Sequence, residues 1–271
     1  MDAKQQVALV FSLMFFTTAA LAETVGYYDM SDGQGDTTDQ EPPIIAAGHT
    51  PVQLFDLSPA ELESIDVLMV QNPSNSGYAT EYLNALADIE TAVAGGLVLM
   101  IHDRFVEDAE TILPGGATFD IQRDFSDDED INVLDNTTVL TNGPGGAIDD
   151  TTLDGGNSSS HGFAVVGSLP GNATFLLSRG DPTEVVDFSY EYVDGFVFYS
   201  SIPLDFYLPA DNLITFSQVY APNAVAYSVE LARAAGQGVY VPLPAPALSD
   251  LGLLLMVLAL AGFAAARIRQ T

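Results

Sequence analysis

The chain has 271 residues, 48% of them hydrophobic and 10% aromatic, which is enough apolar side chain for one sizeable α/β domain plus sorting segments and too much for general disorder. Asp and Glu number 37 against 7 Lys and Arg, a formal net charge of -30, so the surface repels phosphate backbones and no nucleic acid is expected as a partner. Cysteine is absent, which excludes disulfides, thiolate metal sites, a Cys nucleophile and lipobox-type lipid attachment. The acidity itself has two readings: a solvated extracellular face, or clustered carboxylates that hold a divalent cation such as Ca2+.

Residues 1–22 read as a secretory signal peptide. Lys4 gives the basic start, Val7 to Phe16 the apolar stretch, and Ala20-Leu21-Ala22 the small-x-small cleavage site. Export through the secretion machinery is the expectation.

An α/β domain is expected over residues 23–235. Thr24 to Met30 read as a first strand that enters an acidic, glycine-rich loop carrying Asp29, Asp32 and Asp36. Ser31 and Gly33 break the EF-hand spacing counted from Asp29, yet Ca2+ on Asp29, Asp32 and Asp36 is one expectation for this loop. Val52 to Leu57 read as a second strand, and Ser58-Pro59-Ala60-Glu61 as a capping box opening a short helix. Asp66 to Gln71 is a buried-type strand. Tyr82, Leu86, Ile89 and Val93 then recur at helical spacing until Gly95-Gly96, and Leu97 to Ile101 is a further apolar strand. Strands apolar on both faces and alternating with helices predict a mostly parallel sheet flanked by helices.

Beyond residue 105 the pattern loosens, through Asp127-Asp128-Glu129-Asp130 and glycine-rich turns at 143–146 and 155–156. Thr174 to Leu177 restores strand character. An added β-hairpin is expected from Val185 to Tyr192 and Phe196 to Ile202, turned at Asp194-Gly195. Pro222 opens a last helix that Gly236 ends, and residues 236–247 form a Gly/Pro-rich linker.

Residues 248–271 carry an apolar span, Leu251 to Ala266, followed by Arg267 and Arg269. At about 1.5 Å per residue this span needs its flanks to cross a hydrocarbon core of about 30 Å. A single transmembrane helix with a cytoplasmic C-terminus follows from the positive-inside rule. Pro242, Pro244 and Pro246, the stretch Ala247-Leu-Ser-Asp-Leu-Gly252, the leucine-rich span and the basic tail together resemble the PEP-CTERM and IPTL-CTERM sorting signals of Gram-negative bacteria, with Pro244-Ala245-Pro246 in place of Pro-Glu-Pro. That resemblance implies an exosortase-like processing protease as partner, with transient residence in the inner membrane before passage to the cell surface or medium.

The segments Asp66-Val-Leu-Met-Val-Gln-Asn72, Gly95-Gly-Leu-Val-Leu-Met-Ile-His-Asp103, Ser160-His161-Gly162 and Tyr199-Ser-Ser-Ile-Pro-Leu-Asp205 resemble the class I glutamine amidotransferase-like fold, a flavodoxin-like architecture, in its trehalose-utilisation-type branch. In that family a Cys nucleophile follows the strand that here ends in His102-Asp103. Without cysteine, the family's glutamine hydrolysis is not expected.

Ligands of open α/β sheets bind outside the C-terminal strand ends. Asp29, Asn72, His102 and Asp103 stand at such ends, and Asp205 follows the last strand, so these five are the expected binding residues for a sugar, a cation or another small polar molecule. Each has a structural alternative as a strand or turn cap. Three functions are therefore carried forward. The first is an exported envelope or extracellular protein with a non-catalytic domain that binds carbohydrate. The second is a secreted hydrolase or sugar-processing enzyme acting through His102, Asp103 and His161. The third is a calcium-dependent adhesion or matrix protein. Intact-mass measurement of the protein exported from a Gram-negative host is expected to give a chain beginning at Glu23; retention of residues 1–22 would remove the signal-peptide reading.

Overall fold

The structure, a computed structural model, describes residues 22–30, 37–209 and 213–237. The expectations for the signal peptide up to Leu21, for Asp32 and Asp36, and for Pro242, Pro244, Pro246, Arg267, Arg269 and the C-terminal span lie outside these residues. Among the described residues no helix is long and apolar enough to cross a membrane.

The apolar runs form the centre of a mixed sheet. Strands β1 (Thr24–Asp29), β2 (Thr50–Gln53), β3 (Val67–Asn72) and β4 (Val98–Asp103) are parallel. After several short elements, including β5 (Ile121–Arg123), β6 (Asn132–Val133), the small ribbon of β7 (Asn142–Gly143) and β8 (Gly146–Ala147), and β9 (Gly162–Val165), come β10 (Thr174–Ser178), β11 (Glu184–Tyr192) and β12 (Gly195–Ser200). The order across the sheet is β2-β1-β3-β4-β12-β11-β10-β6, with β9 also pairing β11 and β5 pairing β9. The expected hairpin is therefore not an appendage. Its second arm is the fifth parallel strand, paired with β4, and its first arm starts the antiparallel wing.

The five parallel strands thus run in the flavodoxin-like order 2-1-3-4-5, and the chain reverses direction of travel across the sheet between β1 and β3. Strict alternation sends their side chains to two separate cores. Val67, Met69, Val98, Met100, Phe196 and Phe198 pack with α5 (Ala221–Gln237) on one face, where α1 (Glu41–Ala46) also docks. Leu68, Val70, Leu99, Ile101, Val197 and Tyr199 pack on the other with α2 (Pro59–Leu62) and α3 (Thr80–Ala94). Burying each such aliphatic or aromatic side chain is worth roughly 1.5–3 kcal/mol, so the two-faced strands dominate the stability. This mostly parallel centre with helices on both faces fits the amidotransferase-like fold.

Local differences from the sequence reading have local causes. The second strand is Thr50–Gln53, ending earlier than Leu57 because Leu54 and Leu57 turn into the α2 side of the core. Ser58 does occupy the N-cap of α2 with Pro59 behind it, but no side-chain cap bond forms: Asp56 takes the Ser58 N–H at 2.9 Å and engages its hydroxyl as well. The last helix begins before Pro222, because a π-turn over Phe216–Tyr220 leads straight into α5. A wider turn suits a proline, which supplies no N–H to the ladder. Gly236 lies inside the helix rather than ending it.

The hairpin turn is displaced by one residue. Tyr192 pairs with Gly195, so Val193 and Asp194 form the loop, and exposed Val193 sits at φ 56. Gly195 is required for space rather than for turning: a Cβ there would lie 2.1 Å from the Val93 carbonyl oxygen and 2.4 Å from that of Leu97. Gly195→Ala is expected to cost about 2 kcal/mol or more through this overpacking against backbone, and Val193→Gly to stabilise by about 1 kcal/mol by removing a left-handed β-branched residue. Urea unfolding midpoints read both, and a neutral Gly195→Ala would refute the close approach.

Candidate functional site

His102 and Asp103 are neighbours on β4 and therefore face opposite sides of the sheet. Asp103 is fully buried on the α3 side. Its Oδ1 accepts from Asn72 Nδ2 at 3.0 Å and from the Phe105 N–H at 2.9 Å, and its Oδ2 from the hydroxyls of Tyr78 at 2.8 Å and Tyr199 at 3.3 Å. Burial pushes this carboxyl up, and its donors, the Val106 N–H among them, pull it back. The turn it organises is strained: Val106 sits at φ 63 while the Glu107 N–H reaches the Phe105 carbonyl at 2.7 Å. Asn72 Oδ1 meanwhile accepts the Ser74 N–H, which shapes the exit from β3. Asn72 and Asp103 are thus brought together as expected, but as a closed internal network.

His102 lies in the opposite core. Tyr220, on the π-turn, donates to Asp187 Oδ2 at 2.7 Å and lies 3.0 Å from Ser200 Oγ and 3.1 Å from His102 Nε2. With the tyrosine proton committed to Asp187, His102 is assigned its proton on Nε2, and the buried Nδ1 has no partner among the described residues. Burial pushes His102 down to about 3 and Asp187 up to about 7, so at neutral pH the imidazole is neutral and the carboxyl is about half protonated.

His161 is elsewhere again. Its Nδ1 donates to the Arg104 carbonyl at 2.7 Å, and Phe125 packs edge-on against it with ring centroids 4.9 Å apart. Burial pushes its pKa down to about 4, helped by the nearby guanidinium charges of Arg104 and Arg123, so at neutral pH its Nε2 is an acceptor. His102, Asp103 and His161 consequently occupy three separate environments and form no common constellation.

An open cleft does exist beside His161. It has a volume of about 390 Å³, within the range of small-molecule sites, and lies past the C-terminal ends of β3 and β4. Arg104, Arg123, Phe125, His161 and Phe206 supply its chemistry, with Asn75, Asn157, Ser158 and Pro203 completing the wall. The Arg104 guanidinium lies over Phe206 at 5.4 Å and pairs with Asp205 Oδ2 at 3.2 Å. Burial pushes Asp205 up to about 6, Arg104 holds it down, and the charge of Asp29 pushes it up further, so two of the sequence-chosen carboxylates stand behind this wall. Arg123 lies 5.3 Å from the rings of both Phe105 and Phe125 and donates to the Asn75 carbonyl at 2.8 Å. Beneath, fully buried Arg179 donates to the carbonyls of Asp124 and Ser126 and to Ser160 Oγ, fixing the segment that presents Phe125.

Sequence reasoning chose His161 and Asp205 here and passed over Arg104, Arg123, Phe125 and Phe206. The available signal was the rarity of cations: the described residues hold only Arg104, Arg123, Arg179 and Arg233. The acidic stretch Asp127-Asp128-Glu129-Asp130 borders a separate hollow with Asp154, but among the described residues no group of three or more His, Asp or Glu is arranged to hold a metal ion.

No family model and no curated protein matches the sequence. Solved structures do match. A cytoplasmic protein from Salmonella typhimurium is 12% identical with a TM-score of 0.51, over 77% of this chain and 98% of that one, and it shares the α/β fold. A GMP synthase-type protein from Thermoplasma acidophilum is 11% identical (TM-score 0.46; 77% and 96% covered), and a ThuA-like protein from Parabacteroides merdae is 9% identical (TM-score 0.44; 82% and 95%).

The dry His102–Tyr220–Asp187 site makes stability depend on pH. The Asp187 pKa of about 7 in the folded protein exceeds the ordinary 3.8, so its contribution is full below about pH 4 and is lost as pH rises through 7. Asp187→Asn keeps an acceptor for Tyr220 and cannot ionise. Urea midpoints are expected to favour this variant over the parent progressively between pH 4 and 8; a constant difference would show that Asp187 titrates normally.

Proposed function

We propose that this chain is an exported envelope or extracellular protein whose α/β domain binds carbohydrate in the Arg104–Arg123–His161 cleft and performs no chemistry there. The observation that carries the reading is the combination on one wall of an exposed aromatic ring, Phe125, guanidinium planes with unused donors, and a neutral imidazole acceptor. A sugar ring offers an apolar face to the first and hydroxyls to the others.

Absence of catalysis is supported by what does not reach the cleft. The chain has no cysteine. His102 and Asp103, the strongest acid-base candidates by position, are at most 1% exposed and committed to internal partners, so neither reaches a ligand in the cleft. Export and sorting rest on residues 1–22 and on the proline-led, arginine-ended C-terminal segment, for which an exosortase-like protease is the matching partner.

Screening the full chain against aryl glycosides and aryl esters is expected to give no turnover, while a glycan array gives binding that Phe125→Ala weakens about ten-fold. Turnover abolished by His161→Ala would replace this reading with the hydrolase, and a melting temperature raised by Ca2+ with no glycan binding would replace it with calcium-dependent adhesion.

A further inference from the structure

We infer that the cleft is built for an acidic saccharide, a sugar ring bearing a carboxylate, rather than for a neutral one. This deepens the binding proposal and rests on it. The distribution of charge favours an anion here. The chain carries 37 acidic residues, yet no Asp or Glu among the described residues lines the cleft, whereas two of the four described arginines do. An anion approaching a protein of net charge -30 meets repulsion almost everywhere, so a site that takes one must concentrate its positive charge locally.

The guanidiniums keep donors to spare. Arg123 is held flat by two aromatic faces and makes a single hydrogen bond among the described residues, through Nη1 to the Asn75 carbonyl. Its five N–H donors are thus mostly unused, in a planar fork that matches a carboxylate. Arg104 is anchored by Asp205 and the Pro73 carbonyl through Nη1, and its buried Nε has no hydrogen-bond partner among the described residues. Asp205 offsets part of the Arg104 charge. Arg123 has no such carboxylate partner among the described residues and is assigned as the residue that takes the ligand's carboxylate.

His161 and Phe125 separate a saccharide from a bare anion. His161 donates through Nδ1 to the Arg104 carbonyl and is neutral at pH 7, so Nε2 accepts; an anion gains nothing from it, whereas a sugar hydroxyl donates to it. Phe125 packs against His161 and carries Arg123 over its ring, and with 47% of the residue exposed it still offers ring surface to the apolar face of a pyranose. Donors for a carboxylate, an acceptor for a hydroxyl and a ring platform therefore stand together.

The test is calorimetric titration of the full chain with three probes: D-glucuronate, D-glucose and inorganic sulfate. Glucuronate is expected to bind at least ten-fold more tightly than glucose and sulfate. Arg123→Gln is expected to weaken glucuronate at least ten-fold while leaving glucose within about two-fold, and Phe125→Ala to weaken both sugars. Should Arg123→Gln lose its folded circular-dichroism spectrum, Arg123→Lys, which keeps the charge and loses the fork, is expected to cost glucuronate several-fold. Equal binding of glucose and glucuronate overturns the acidic preference and leaves the carbohydrate reading standing. Sulfate binding as tightly as glucuronate overturns the saccharide and makes the cleft a plain anion site. Binding of none of the probes removes both.

Discussion

The carboxylate of Asp103 is the point on which the rest of this structure is hung. It is buried at the end of β4, and its acceptors are filled from the end of β3 by Asn72, from the approach to α3 by Tyr78, from β12 by Tyr199 and from its own following turn by Phe105. Losing this acceptor would leave the Asn72 amide, the Tyr199 hydroxyl and the Phe105 N–H without it at about 1–3 kcal/mol apiece, while the Tyr78 hydroxyl keeps the Glu107 carbonyl. That cost locks three parallel strands in register at their C-terminal ends. It also pins the left-handed Val106 turn, whose strain of order 1–3 kcal/mol needs an over-determined setting. Arg104, two residues before that turn, is thereby aimed at the cleft.

The opposite face of β4 solves a different problem. His102, Tyr220, Ser200 and Asp187 are all polar and all buried beneath the π-turn. Desolvating an imidazolium and a carboxylate together costs several kcal/mol per ion, and a tyrosine hydroxyl stands between the two groups, so the imidazole is neutral and the carboxyl holds its proton until the pH nears 7. The strand's two most polar side chains are consumed internally, one per face, and the groups that line the cleft come from the loops that follow the strands. Loops on a rigid sheet are the usual home of binding residues, because they vary without disturbing the core.

The charge distribution follows the same division. An acidic exterior repels like-charged surfaces without contributing to the fold. Among the described residues the four cations are placed where each has a specific task. Arg179 is wholly buried as a strut under the Phe125 segment, Arg104 pairs with Asp205, Arg123 is sandwiched between aromatic rings, and Arg233 pairs with Glu23 at 2.8 Å near the start of the described chain. The strut matters because Phe125 is exposed and has no core of its own to hold it.

What the sequence determined by itself is the frame. Runs such as Val67-Leu-Met-Val and Val98-Leu-Met-Ile are apolar at every position, which only a strand covered on both faces satisfies, and the periodicity of Tyr82, Ile89 and Val93 declares the covering helix. The fifth parallel strand was legible as a strand and not as a neighbour of β4, since pairing between residues about a hundred positions apart leaves no local pattern. The site was half legible. His161 and Asp205 could be picked by residue type, and Asp29, Asn72, His102 and Asp103 by their place at strand ends. Only tertiary structure decided that Asn72, His102 and Asp103 turn inward, because the face a strand-end residue takes depends on which partners wait there. It alone also brought Arg104, Arg123, Phe125 and Phe206 to one wall from three distant segments, because convergence is a property of the folded chain and not of spacing along it.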